Sequence, residues 1–294
     1  MFTRRLPAFE YHAPASVGEA LDLMAKFGDK GRYVAGGTDL LIAMKKREVV
    51  SEHLVGLNSI AALKGITQDD SGVRIGALTT LAEIERSEII GIQYVPLKDA
   101  VDVMASIQVR NLATIGGNLC SAIPSADTAP PLIALNASVK LVGPRGERTV
   151  PLEEFFTGPK QSVRQTQEIM TEIAVPKPNP TSSGCYLKLM RRHAMDLALV
   201  GVAACLTFDS DRKLCKEARV GLGAVAATPI RAPEVEAHLI NKAIDETVVS
   251  EAARISGMQC RPISDLRASL EYRCSMVEVL TARAVMEAAR RITG

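Results

Sequence analysis

The sequence predicts an α+β protein made of two or three packed units. Its 294 residues exceed the ~100–150 of a usual single domain. Strand-like runs, hairpin signatures and helix caps are interspersed along it. One linker-like stretch, Pro176, Pro178 and Pro180 followed by Thr181-Ser182-Ser183-Gly184, marks the best boundary.

Ser16-Val17-Gly18-Glu19 reads as a capping box, with Leu21, Leu23, Met24 and Phe27 on one helical face and Gly28 as the stop. Tyr33-Val34-Ala35 is a short strand that runs into Gly36-Gly37-Thr38-Asp39, and Leu40 to Lys46 continues as a helix. His53 to Leu57 is a further strand. Leu63 to Gln68 and Val73 to Ala77 flank Asp69-Asp70-Ser71-Gly72, a hairpin signature. Thr80-Leu81-Ala82-Glu83 opens a short helix, and a longer helix runs from Pro96 to Ser106 with Pro96 in its first turn. Pro130 to Leu135 is helical, and a second hairpin joins Val139–Val142 to Arg148–Val150 over Gly143–Gly146. Past the linker come three strands, Tyr186–Met190, Ala198–Phe208 and Ala218–Val225, and then helices that close with Ser269–Ile292.

Two glycine pairs stand out. Thr114-Ile115-Gly116-Gly117-Asn118 drives a β-branched pair into two residues without Cβ, and Asp127 follows in Ser125-Ala126-Asp127-Thr128. Such pairs let a ligand approach peptide N–H groups. Gly36-Gly37 repeats the design, and Thr38 and Asp39 are N-cap types that would place a helix N-terminus beside an anion. Two phosphate-type cradles suggest a ligand with two linked phosphates. Neither fits G-x-G-x-x-G or G-x-x-x-x-G-K, which disfavours the common nicotinamide and ATP folds.

Composition excludes several classes. With 35 basic and 33 acidic residues the net charge is +2, and aromatics make up 4% with no Trp. That balance argues against nucleic acid and anionic membranes. Six scattered cysteines without a C-x-x-C pair give no readable zinc or iron–sulfur site and fit a reduced protein. Met1–Pro7 has two arginines but no apolar run behind them, and no apolar run is long enough to span a bilayer. A cytoplasmic location is expected.

Taken residue by residue, blander roles compete. Asp127 has the spacing to cap the helix at Pro130, Lys188 to His193 the look of a solvated strand edge, and Cys120 that of a packed thiol. His193 is one of four histidines, without a partner at metal-ligand spacing, and is expected to be structural.

Ala35-Gly36-Gly37-Thr38-Asp39-Leu40, Ile75-Gly76-Ala77 with Thr79, Thr114-Ile115-Gly116-Gly117-Asn118 and Asp127 together resemble the FAD-binding medium subunit of molybdenum hydroxylases, the xanthine and carbon monoxide dehydrogenase family. Lys188 to Val200, with Arg191-Arg192 and Ala194-Met195-Asp196, looks like the start of that family's C-terminal flavoprotein domain. The resemblance implies two small α/β subdomains at 1–55 and 56–178 that together bind FAD. It also implies a C-terminal domain at 184–294, a three-stranded antiparallel sheet with helices. It implies that Tyr33, Val34, Ala35, Gly36, Gly37, Thr38, Asp39 and Leu40 wrap the FAD pyrophosphate together with Thr114, Ile115, Gly116, Gly117 and Asn118. Asp127 would contact the flavin nucleotide, Lys188 would lie near the flavin ring, and Met170 would pack on the cofactor. Thr38-Asp39 replaces the His-Ser of the carbon monoxide branch. The insertion that carries an extra four-iron cluster in benzoyl-CoA-type relatives is missing after Cys120, so no cluster is expected.

The implied function is electron transfer with non-covalent FAD. A large partner would carry the molybdenum cofactor, a small ferredoxin-like partner two two-iron clusters, and an external acceptor such as NAD would take the electrons. The competing reading is a nucleotide-diphosphate-binding scaffold without redox turnover.

Overall fold

A computed structural model describes residues 5–192 and 194–293; Met1–Arg4, which open the N-terminal stretch considered above, and His193 lie outside the described residues. Each of three units is organised on its own sheet.

In the first, Glu10–His12, His53–Gly56 and Gly31–Val34 form a parallel sheet with His53–Gly56 in the middle. Parallel neighbours need crossovers, and the helices Val17–Phe27 and Leu40–Lys46 provide them. The Ser16 side chain accepts from the Glu19 N–H, while the Glu19 carboxylate accepts from Ala15 N–H at 2.8 Å. The expected cap therefore forms, its carboxylate reaching one residue further back. Ala20 and Met24 are the buried face of that helix, and Gly28 ends it with φ 54°.

The second unit is a five-stranded antiparallel sheet. Its order is Ile66–Asp69, Gly72–Gly76, Ile169–Pro176, Ser138–Gly143, Gly146–Pro151. Both hairpins fall where the turn residues place them. The central strand, Ile169–Pro176, has no counterpart in the sequence reading. It arrives from far along the chain, joins the two hairpins, and shifts register between Met170 and Glu172. Ile75, Leu97, Ile115, Leu119, Ile133 and Val139 are wholly buried in this core, each worth about 1.5–3 kcal/mol of transfer free energy. The helix expected over Pro96–Ser106 stops at Asp102, as Val95–Asp102, and a separate short helix, Ile107–Arg110, begins just past Ser106. Ala105 turns left-handed (φ 52°) and the Ser106 hydroxyl caps the second helix, so the backbone ends one helix to start another.

In the third unit Ser182–Leu189, Val200–Phe208 and Cys215–Gly223 pair antiparallel, and a two-residue edge strand, Ile230–Arg231, joins the three expected ones. Helices Pro233–Leu239, Glu246–Gln259 and Leu270–Thr293 follow. The third unit's sheet meets the second unit through Tyr186 and Ala203, which pack on Ala100 and Ala134. Among the described residues no helix is long and apolar enough to cross a membrane.

Candidate flavin site

The first glycine loop starts where the strand Gly31–Val34 ends. Val34 is buried beside Met44 and Leu54, with Leu40 packed against them, so both ends of the loop are anchored. Gly37 has φ 72°, a backbone region that costs an L side chain about 1–2 kcal/mol. Among the described residues the amides of Gly36, Gly37 and Thr38 have no hydrogen-bond acceptor. The Ala35 carbonyl accepts from the Asn58 side chain at 3.2 Å. Asp39 precedes the helix without capping it through its side chain, and the helix is 7 residues long. The loop's anion-binding capacity therefore rests on its open amides more than on a helix dipole.

The second glycine stretch differs from the expected loop. Ile115–Cys120 is a helix whose N-cap is Thr114. Its amides are already engaged: Ile115 N–H donates to the Thr79 carbonyl at 3.1 Å, Gly116 N–H to Ala77 at 2.9 Å and Asn118 N–H to Thr114 at 2.9 Å. Gly117 N–H donates to the Thr114 hydroxyl at 3.1 Å. Gly116 also owes its bare Cα to packing, since a Cβ there would lie 2.7 Å from both the Cβ and the carbonyl oxygen of Ala77. The amides of Ile115 to Asn118 thus all have acceptors within the protein, unlike those of Gly36, Gly37 and Thr38 in the first loop.

The two stretches nevertheless meet. A Cβ on Gly36 would strike the Leu112 carbonyl, so the absence of that Cβ lets the loop close on the segment leading to Thr114. The Ser121 hydroxyl donates to Asp39 Oδ2 at 2.7 Å. Between them opens a cavity of about 330 Å³, walled by Gly36, Asn58, Thr80, Leu112 and Thr114 among others. The Thr128 hydroxyl donates to Asn118 Oδ1 at 2.6 Å, tying the 125–128 loop to the glycine helix.

Asp127 does not cap the helix at Pro130; Thr128 holds the N-cap position. The Asp127 carboxylate accepts from the Tyr186 hydroxyl at 2.9 Å and from Lys188 Nζ at 2.8 Å. Lys188 Nζ also donates to the Asp196 carbonyl at 2.9 Å, and its side chain is 1% exposed, the reverse of a solvated strand edge. Burial pushes the Asp127 carboxyl up, and the Lys188 ammonium and Tyr186 hydroxyl oppose that shift. Burial, followed by the Asp127 charge, drives the Tyr186 phenol well above its ordinary value, so it remains a donor.

Of the other residues, Tyr33 is half-buried with its hydroxyl donating to the Gln167 carbonyl at 3.3 Å. Met170 is buried in the core of the second unit, clustered with Leu119 and Ile173; that placement answers to the sheet. Cys120 is half-buried against the same core, its thiol pushed up by burial, which suits a packed thiol. Ser121, Thr128 and Tyr186 escaped the sequence reading. Tyr186 had a signal, since it stands two residues before Lys188 on one strand and shares its face.

Open amides at the Gly36–Thr38 loop, beside a cavity to which Asn58, Thr80, Asn111 and Thr114 contribute polar groups, fit a nucleotide diphosphate, the pyrophosphate part of FAD. Residues 7–178 match the FAD-binding domain of molybdopterin dehydrogenases, and residues 185–288 match the C-terminal domain of carbon monoxide dehydrogenase flavoproteins. Together they define an FAD-binding oxidoreductase subunit. The chain belongs to the family of FAD-binding medium subunits of molybdenum hydroxylases. It is 36% identical over 279 residues to the carbon monoxide dehydrogenase medium chain of Hydrogenophaga pseudoflava, with 95% of this chain and 96% of that one aligned. It is 32% identical over 288 residues to a putative xanthine dehydrogenase FAD-binding subunit of Escherichia coli, with 95% of each covered. Among solved structures, carbon monoxide dehydrogenase from Hydrogenophaga pseudoflava superposes with a TM-score of 0.94 at 36% identity, over 98% of this chain and 99% of that one. Quinoline 2-oxidoreductase from Pseudomonas putida gives 0.92 at 28% identity, over 99% and 100%.

Proposed function

We propose that this chain is the electron-transfer subunit of a molybdenum hydroxylase complex. It receives electrons through the two-iron clusters of a small ferredoxin-like partner and delivers them to an external acceptor such as NAD. A large partner holds the molybdenum cofactor and acts on the substrate. When bound, FAD supplies both one-electron and hydride chemistry, and the protein's part is binding, orientation and tuning. We further propose that FAD is held without a covalent bond and that the complex is cytoplasmic.

The observation that carries this reading is that both parts of the chain match their family counterparts, so the cofactor unit arrives with the C-terminal unit on which the family builds. The residues take distinct parts. The amides of Gly36, Gly37 and Thr38 receive the pyrophosphate, and the Asp39–Ser121 bond (2.7 Å) fixes that loop against the glycine helix. Asp127, Tyr186 and Lys188 lock the C-terminal sheet onto the FAD-binding part, which makes their contribution to the flavin positional. The test is purification from the native host with molybdenum, iron and flavin counted in one preparation. Co-elution with two further chains and NAD reduction on substrate addition are expected. A lone species that oxidises substrate by itself contradicts the proposal.

A further inference from the structure

At the far edge of the first sheet, Glu10, His12 and His53 bring three metal-ligating side chains to one point. The sheet geometry explains it. Glu10 and His12 are two apart on one strand, and so share a face; Glu10 is the register partner of His53 on the parallel neighbour. One ligand atom from each of the three lies within 4.8 Å of the others. We propose that Glu10, His12 and His53 form a binding site for a divalent transition metal of the zinc class, with three protein ligands and one position open to water.

The spacing fits the ion. Zinc binds imidazole nitrogen at about 2.0–2.1 Å and carboxylate oxygen at about 2.0–2.2 Å, and a tetrahedron's edge is roughly 1.6 times its bond, or ~3.3–3.5 Å. His12 Nε2 is 3.3 Å from His53 Nδ1, and Glu10 Oε2 is 3.3 Å from His53 Nδ1 and 3.7 Å from His12 Nε2. Phe27 holds the rings: it stacks on His53 with centroids 3.9 Å apart and leans on His12 at 4.7 Å. The Glu10 side chain is 73% exposed against 25% for His12 and 20% for His53. An ion can therefore enter from solvent onto two pre-oriented imidazoles, and the carboxylate closes over it. Two imidazoles and a carboxylate suit zinc, nickel or copper better than magnesium or calcium, which prefer all-oxygen sets. The site sits at the N-terminal end of the central strand, whereas the first glycine loop leaves the C-terminal end of the opposite edge strand. Metal binding is thus separate from the flavin, and it pins the edge strand Glu10–His12 to its neighbour.

The same three residues could be held by hydrogen bonds and an ion pair alone, and the experiment separates the two cases. The full-length protein, without an affinity tag and with its flavin, is stripped with chelator and titrated with Zn²⁺ by calorimetry. Co²⁺ serves as a visible-spectrum probe of the same site. One equivalent is expected, with nitrogen and oxygen ligation at the zinc X-ray absorption edge and a higher thermal midpoint with metal. Losing a residue that merely hydrogen-bonds a metal ligand already costs about 10–100-fold in affinity, so His12→Gln and His53→Gln should each cost at least about 100-fold with flavin content unchanged. Glu10→Gln, at an exposed side chain, tests the site without burdening the fold and should weaken binding at least about tenfold. No stoichiometric uptake, sulfur ligation at the edge, or unchanged affinity in Glu10→Gln and His12→Gln would overturn the proposal.

Discussion

The Lys188 ammonium lies 2.8 Å from Asp127 Oδ2 with both side chains buried, and the pair joins the strand Ser182–Leu189 to the loop tied by Thr128 to the glycine helix. Breaking one half of a buried ion pair leaves the other charge without water or partner, which costs about 3–5 kcal/mol. Asp127→Asn and Lys188→Met should each destabilise the protein by roughly that much, and the double variant by clearly less than their sum. Urea unfolding of the four proteins measures it. A loss of ~1 kcal/mol or less in Asp127→Asn would match a dispensable cap and contradict a structural pair.

The glycines should separate by role. A Cβ at Gly116 meets backbone and side chain of Ala77 at 2.7 Å, whereas one at Gly117 meets only the Thr114 hydroxyl at 2.9 Å. Gly116→Ala is expected to cost about 1–3 kcal/mol of stability through overpacking. Gly117→Ala should stay within about 1 kcal/mol, because the helix preference for Ala offsets the displaced cap. Denaturant midpoints with slopes compared between variants check the order; equal losses would contradict it.

That difference also indicates what the sequence could reveal. A β-branched pair followed by two glycines marks a special backbone, and the special feature is real at both stretches. Which partner exploits it is decided by elements remote in sequence: Ala77 and Thr79 for the second pair, Leu112 for Gly36 of the first. The hairpins and capped helices were legible because their signals lie within a few residues. Ile169–Pro176 was not, because a central strand is defined by the two strands that flank it, and its bulge after Met170 interrupts the alternation. Asp127 stood out beside the second glycine stretch and Lys188 within a charged run, but a role at the flavin came only through family likeness, and their pairing across 61 positions has no local trace. The same holds for His12 and His53, 41 positions apart, which parallel pairing brings together.

Acid should loosen the C-terminal helix. Glu287 is held down to about 2, first by its bond from Arg290, against burial, and then by Arg291; Arg291 also pairs with Asp99 at 2.8 Å in the second unit. A carboxyl depressed in the folded state stabilises it above the unfolded value, here 4.5, and that contribution is lost as pH falls from there toward 2. Stability measured between those limits should fall more steeply in the parent than in Glu287→Gln. Parallel curves would mean that the carboxylate contributes nothing.

Ser121, at the end of the glycine helix, ties it to the first glycine loop through its 2.7 Å bond to Asp39. Ser121→Ala should cost about 0.5–1.5 kcal/mol, shared between unfolding stability and flavin affinity. Flavin fluorescence titration of the apoprotein reads the second part; Asp39→Ala in the same background should add little, since both act through one bond.

FAD binding by this chain, proposed to run through a diphosphate received at Gly36–Thr38 and to involve no covalent bond, can be tested directly. The most direct measurement is mild acid precipitation of the purified protein followed by chromatography of the released flavin. FAD should be recovered in full, close to one per chain, leaving a colourless pellet. Flavin mononucleotide in the supernatant, colour retained in the pellet, or protein that neither carries nor takes up flavin would contradict the account.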